Sequence, residues 1–189
     1  IGGKSMIRSL GDTVRKGAFK HQGKQPYQVA TRALTKANLQ GSRGGASTDY
    51  IDVFDPEIRT MVMYQNPRTP EDKRIRGMHF AVILNPFFIK KALNGENIFF
   101  FNCNTAPDLY KAFAEGREEE FVKLYEKYEY DTSFVKKYDS AREILILIGT
   151  QNWEVSTVYA FNIAEANKHT SFKEPIHTSN LCVAPESTL

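Results

Sequence analysis

Apolar residues along the chain recur in two alternating rhythms. P-Y-Q-V-A-T-R-A-L-T-K-A-N-L, Pro26 to Leu39, places Tyr27, Ala30, Leu34 and Ala37 at three-to-four spacing behind a proline, which predicts a helix. S-T-D-Y-I-D-V-F, Ser47 to Phe54, reads as a strand, and Asp55-Pro56 supplies a cap and a first helical proline for a helix burying Ile58, Met61 and Val62. The apolar run M-H-F-A-V-I-L-N, Met78 to Asn85, predicts a second strand. Pro86 to Gly95 predicts a short helix with a glycine stop, and N-I-F-F-F-N, Asn97 to Asn102, a third strand. From Ala106 to about Gln151 the period is helical three times over, carried by Leu109, Ala112 and Phe113, by Phe121, Leu124, Tyr125 and Tyr128, and by Ile144, Leu145 and Ile148. Thr157 to Ile163 returns to strand, and a polar loop leads to T-S-N-L-C.

Strands alternating with helices predict an α/β fold, and a continuous apolar strand between helices is what a parallel sheet covered on both faces requires. Gln65 to Gly77 breaks the pattern, with two prolines and six charged side chains. Such a segment is not expected in the core, and loops of that length in compact domains are binding elements or disordered. The run R-E-E-E, Arg117 to Glu120, is expected to be a solvated helix face.

Composition narrows the function classes. A hydrophobic content of 41% over 189 residues supports one core, and a net charge of +3 spread along the chain does not single out nucleic acid as a partner. No apolar run reaches membrane-spanning length. Cys103 and Cys182 form no C-x-x-C arrangement, and the four histidines show no i, i+4 pair, so no metal site is expected. Two isolated thiols suit a reducing, cytoplasmic setting. The opening I-G-G-K-S-M reads as the end of a strand entering a turn, which suggests a stretch from inside a longer polypeptide.

Three clusters carry candidate chemistry. Arg8 and Arg15 flank a Gly-Asp turn that can bring both guanidiniums to one phosphate, although two surface arginines are also ordinary. Q-G-S-R-G-G-A-S-T, Gln40 to Thr48, places three glycines around Arg43; this allows close backbone approach to a ligand or simply a tight turn. Neither G-x-x-x-x-G-K-[ST] nor G-x-G-x-x-G is present. The third cluster is R-I-R, Arg74 to Arg76, at the end of the charged loop.

Taken in order, R-x-L-G-x-x-x-R, R-G-G-A-x-T, N-x-R…K-R-I-R-x-M, A-P-D-L-Y-K-A-F, F-V-K-L-Y-E-K-Y-E and S-N-L-C resemble the catalytic large subunit of class I ribonucleotide reductases, from Ile1 to Cys182. The resemblance implies part of that family's ten-stranded α/β barrel over residues 1–181, with residues 182–189 ending its central finger loop. It implies reduction of ribonucleotides to deoxyribonucleotides by thiyl-radical chemistry, in which Cys182 abstracts the ribose 3′ hydrogen and Asn180 hydrogen-bonds the ribose. By the same resemblance Arg8 and Arg15 hold the phosphates of a deoxynucleotide effector. Arg43, Gly44, Gly45 and Ala46 bring backbone to the substrate. Gln65 to Gly77 form the second specificity loop, with Arg74 and Arg76 nearest the substrate. The implied partners are the remaining pieces of the large subunit, in a dimer, and a small subunit whose di-metal centre generates the radical. Nucleoside diphosphates are the implied substrates and dNTP or ATP with Mg the implied effectors, while this segment binds no cofactor of its own.

Two features depart from the family. The loop carries Pro67 and Pro70 and is one residue longer than in some relatives. The glutamate expected two positions after the cysteine is replaced by Ala184, and Glu186 on an extended segment lies about 7 Å farther along. C-V-A-P-E-S-T-L also resembles the opening of an intein, in which Cys182 would be a splicing nucleophile; a split gene or truncation and a divergent reductase are the other readings. The missing glutamate favours one competing class, a non-catalytic nucleotide-binding or interaction module on the same scaffold.

Overall fold

The computed structural model describes residues 48–179. Strand β1, Thr48–Asp52, is followed by the one-turn helix α1, Ile58–Met61, and by β2, His79–Leu84. Then come α2, Pro86–Asn94, β3, Asn97–Phe99, α3, Pro107–Ala114, and α4, Glu118–Tyr130. The remaining elements are β4, Tyr138–Ser140, α5, Ala141–Val155, β5, Val158–Asn162, and α6, Ile163–Lys168. The helix read from Pro26 lies outside the described residues.

The expected α/β class is present. β1, β2 and β5 form a parallel sheet in that order, with Tyr50 opposite Ala81 and Ala81 opposite Tyr159. β2 is the central strand, and from Phe80 to Leu84 it is buried throughout. Its apolar run suits a strand flanked by neighbours and covered on both faces. The ladder continues past the strand ends through Val53 N–H to Ile83 O at 3.1 Å and Phe80 N–H to Thr157 O at 2.9 Å.

The Phe-rich third strand does not join this sheet. β3 pairs antiparallel with β4, and the chain turns away after Phe99, so that Phe101 N–H donates to Phe54 O at 3.0 Å. Its rings are drawn into an aromatic core. Phe54 stacks on Phe101 at 5.1 Å between centroids and meets Phe113 at 5.3 Å and Phe121 at 5.4 Å, while Phe99 stacks on Tyr125 at 4.1 Å. The Tyr125 hydroxyl accepts Phe99 N–H at 2.7 Å, and burial pushes its acidity down.

Helix ends follow local chemistry. Asn85 caps α2 by accepting Phe88 N–H at 3.1 Å, Pro86 is its first residue, and Gly95 closes it in the left-handed region at φ 73°. Arg142, at the start of α5, finishes that end by donating to Leu93 O at 2.7 Å. α1 differs from expectation: Asp55 does not cap it directly but accepts Glu57 N–H at 2.8 Å in a local turn, so helical bonding starts later, at Ile58. The polar stretch after β5 contains the short helix α6, capped by Asn162, which accepts Glu165 N–H at 3.3 Å.

The acidic run is not wholly a solvated face. Glu118 sits half-buried at the start of α4, where its carboxylate accepts Phe87 N–H at 2.7 Å and Asn85 Nδ2–H at 3.0 Å. It ties α4 to the first turn of α2, and burial raises its pKa above the ordinary carboxylate value. Among the described residues, no helix is long and apolar enough to cross a membrane.

Candidate functional site

The loop of residues 65–77 connects α1 to β2 at the amino end of the sheet. Contrary to the expectation that it stays out of the core, one residue near each end is buried: Asn66 is 1% exposed and Ile75 fully buried. Ile75 N–H donates to Tyr64 O at 3.0 Å, which closes the base, and Thr69 Oγ1 donates to Met63 O at 2.6 Å. The sequence makes this possible because an isolated apolar residue, Ile75, follows the charged tip and pulls it back. Asn66, before Pro67, accepts Arg68 N–H at 2.9 Å and starts the turn.

The first end is held from outside the loop. Asn66 Nδ2 donates to Gln151 Oε1 and to Glu154 Oε2, both at 2.8 Å, at the carboxyl end of α5. Thr157 Oγ1, at the entry to β5, donates to Gln65 Oε1 at 3.0 Å. Beside the loop's exit His79 Nδ1 and the Tyr159 hydroxyl lie 2.8 Å apart across β2 and β5.

Arg74 and Arg76, the substrate-facing arginines expected from sequence, converge on one acidic residue of the same loop. Arg76 Nη2 lies 2.8 Å and Arg74 Nη1 3.6 Å from Glu71 Oε2. Arg74 is the more enclosed, with a side chain 18% exposed against 59% for Arg76, and its Nη2 donates to Gln65 O at 3.4 Å. Two N–H groups at the base, Gln65 Nε2 and Arg74 Nε, are buried with no hydrogen-bond partner among the described residues. Buried donors left unpaired are costly. The loop thus presents guanidinium forks, that of Arg76 well exposed, of the kind that pairs with phosphate oxygens.

Gln65, Asn66, Gln151 and Thr157 were not singled out from the sequence. One signal was available: Gln151 continues the buried stripe Ala141, Ile144, Ile148 of α5, a polar side chain at an apolar position. Arg8, Arg15, Arg43, Gly44, Gly45, Ala46, Asn180 and Cys182 lie outside the described residues. Cys103 is a partly exposed cysteine in a turn organised by Asn102, whose Oδ1 accepts Asn104 N–H at 3.0 Å and Thr105 N–H at 3.1 Å. Among the described residues no three His, Cys, Asp or Glu side chains cluster in a way that could hold a metal ion.

Residues 2–185 match the family described as ribonucleotide reductase, barrel domain. The chain is 33% identical over 181 residues to the alpha subunit of ribonucleoside-diphosphate reductase 1 of Escherichia coli (strain K12), an alignment covering 94% of this chain and 24% of that protein. It is 31% identical over 181 residues to the corresponding subunit of Buchnera aphidicola subsp. Acyrthosiphon pisum and 31% over 182 residues to that of Enterobacteria phage T4, with the same coverage of both chains. The chain therefore spans about a quarter of the length of these curated relatives. With a family match running over nearly all of its length, on a parallel-stranded α/β scaffold, the chain belongs to the barrel-domain family of ribonucleotide reductases.

Proposed function

We propose that this chain is a segment of the large subunit of a class I ribonucleoside-diphosphate reductase and acts in ribonucleotide reduction together with the rest of that subunit and a radical-generating small subunit. The observation that carries the reading is the family match over residues 2–185, and the approach of the Arg74 and Arg76 guanidiniums to the Glu71 carboxylate fits an anion site beside it. A nucleotide phosphate is an anion that such guanidiniums hold. Glu71 stands in for part of that ligand, since its carboxylate engages both arginines as a phosphate would.

On this reading the loop reports which effector is bound and biases which nucleoside diphosphate is reduced. Arg8 and Arg15 bind the effector's phosphates. The stretch Arg43 to Ala46, leading into β1, brings backbone N–H groups to the substrate. Cys182 supplies the thiyl radical that takes the ribose 3′ hydrogen, and the neutral amide of Asn180 holds the ribose hydroxyls. A thiol suits this step because its S–H bond is weak enough to be broken and remade within one turnover.

The test is the Cys182→Ser variant in reductase reassembled from this chain, the remaining large-subunit segments and the small subunit. Nucleotide affinity by equilibrium dialysis is expected to stay within about twofold of wild type, since one sulfur is exchanged for oxygen, while reduction falls to background. Reduction at the wild-type rate would refute the assignment.

A further inference from the structure

We infer that Asn167 and His177 are positioning residues that anchor the stretch leading to Asn180 and Cys182, so that the end of α6 and the α3–α4 corner set how Cys182 meets the ribose. The inference rests on the reading of Cys182 as the thiol that abstracts hydrogen.

Residues 170–179 form neither helix nor strand, so no backbone ladder holds them. One side chain supplies part of what a ladder would. Asn167 Oδ1 accepts Ile176 N–H at 2.7 Å and its Nδ2 donates to Ile176 O at 2.9 Å, so a single amide satisfies both backbone groups of Ile176. The same Nδ2 also donates to Ile163 O at 3.0 Å, which ties the clasp to the first turn of α6. Ile163 is fully buried and Ile176 packs against the core, so the polar clasp is backed by apolar contact on both sides.

The next residue is held separately. His177 Nδ1 lies 2.8 Å from Ala114 O at the end of α3, and because a carbonyl only accepts, that ring nitrogen carries the hydrogen. Beside both ties stands Gly116, at φ 68°. A Cβ there would lie 2.8 Å from Ile163 O and 2.9 Å from Asn167 Nδ2, so glycine is what lets the α3–α4 corner close on the clasp. Residues 114–116, 163–167 and 176–177, far apart in sequence, thus meet at one point.

The place of that point along the chain gives it its consequence. His177 precedes Asn180 by three residues and Cys182 by five, and five residues span at most about 17 Å. Hydrogen transfer from carbon to sulfur requires the two atoms in near contact, and a displacement of about 1 Å can cost about a hundredfold in rate. An anchor this close to Cys182 limits that displacement without touching the substrate.

The experiment uses reductase reassembled as above, assayed with CDP and with CDP deuterated at the ribose 3′ carbon. In Asn167→Ala, kcat is expected to fall about tenfold or more while KM for CDP stays within about twofold, and the deuterium isotope effect on kcat is expected to rise, because the hydrogen-transfer step alone is slowed. A merely destabilised protein would lose active molecules and keep the wild-type isotope effect, so a fall in kcat without a rise in that effect overturns the inference. His177→Ala is expected to change both quantities less and in the same direction, and His177→Asn, whose Nδ2 takes the place of the ring Nδ1, to recover most of the loss. If Asn167→Ala does not fold, the exposed His177 decides: a raised isotope effect in His177→Ala that His177→Asn reverses supports the anchor, and a wild-type isotope effect in His177→Ala overturns it. Unchanged kcat and isotope effect in Asn167→Ala, with reduction lost in Cys182→Ser, overturn the clasp and leave the role of the thiol standing. Reduction retained in Cys182→Ser removes the reading on which the clasp depends.

Discussion

Replacing Glu118 tests how two helices are joined at the carboxyl end of the central strand. In the native chain its carboxylate accepts Phe87 N–H at 2.7 Å and Asn85 Nδ2–H at 3.0 Å, and Asn85 cannot turn its amide to compensate because its Oδ1 already caps Phe88 N–H. Glu118→Ala leaves two partly enclosed donors without an acceptor, which costs about 2–4 kcal/mol at roughly 1–2 kcal/mol each. For a chain of this size that corresponds to a fall in Tm of about 6–12 °C. Glu118→Gln keeps one oxygen for Phe87 N–H but sets its amide N–H against Asn85 Nδ2, so it should cost about half as much. The pH dependence separates the causes. Burial raises the folded-state pKa of Glu118 above its ordinary value, despite the two donors. A carboxyl with a raised folded pKa binds more protons folded than unfolded over that interval, so its contribution is fully present at low pH and is lost as pH rises through the folded value. The stability of wild type relative to Glu118→Gln should therefore decline as pH rises above the ordinary carboxyl range, as measured by urea unfolding at each pH. A difference that grows with pH would mean that the two donors outweigh burial, and a flat one that the carboxylate is not enclosed; either would refute the argument.

Two further outcomes follow from the same physics. Phe121→Ala removes a fully buried ring that meets Phe54, Phe87, Phe101, Phe113 and Tyr125, and chemical denaturation should show a loss of about 3–5 kcal/mol; a loss under about 1 kcal/mol would mean that the aromatic core does not pack as described. Replacing Arg8 or Arg15 with Ala should weaken dNTP binding to the reassembled reductase by about 1.5–3 kcal/mol, measured by equilibrium dialysis, and unchanged affinity would remove them from the effector site.

Much of the fold was legible because burial imposes periodicity. The continuous run of β2 and the three-to-four spacing of α3, α4 and α5 record which faces meet the core, and Asn85, Pro86 and Gly95 mark the ends of α2 by chemistry confined to a few residues. The ordered motifs were enough to identify the family, because stretches such as K-R-I-R ahead of β2 and A-P-D-L-Y at the start of α3 are read as short contiguous strings.

What stayed hidden depends on contacts between residues far apart in the chain. That β3 would leave the sheet to pair with β4 was decided by the packing of Phe99 and Phe101 against Phe54 and Tyr125. A half-buried Glu118 inside an acidic run became evident only once α2 lay beside α4. The loop showed the same limit. Its prolines and charges announced an exposed connection, and its tip is one, yet Asn66 and Ile75 are buried because α5 and Tyr64 supply partners that no neighbouring residue could. The sequence by itself determined the alternation of strands and helices, the helix stops and the family. The tertiary structure alone decided that Gln151 and Glu154 hold Asn66, because a hydrogen bond requires two atoms within about 3 Å, and only folding brings the end of α5 that close to the loop.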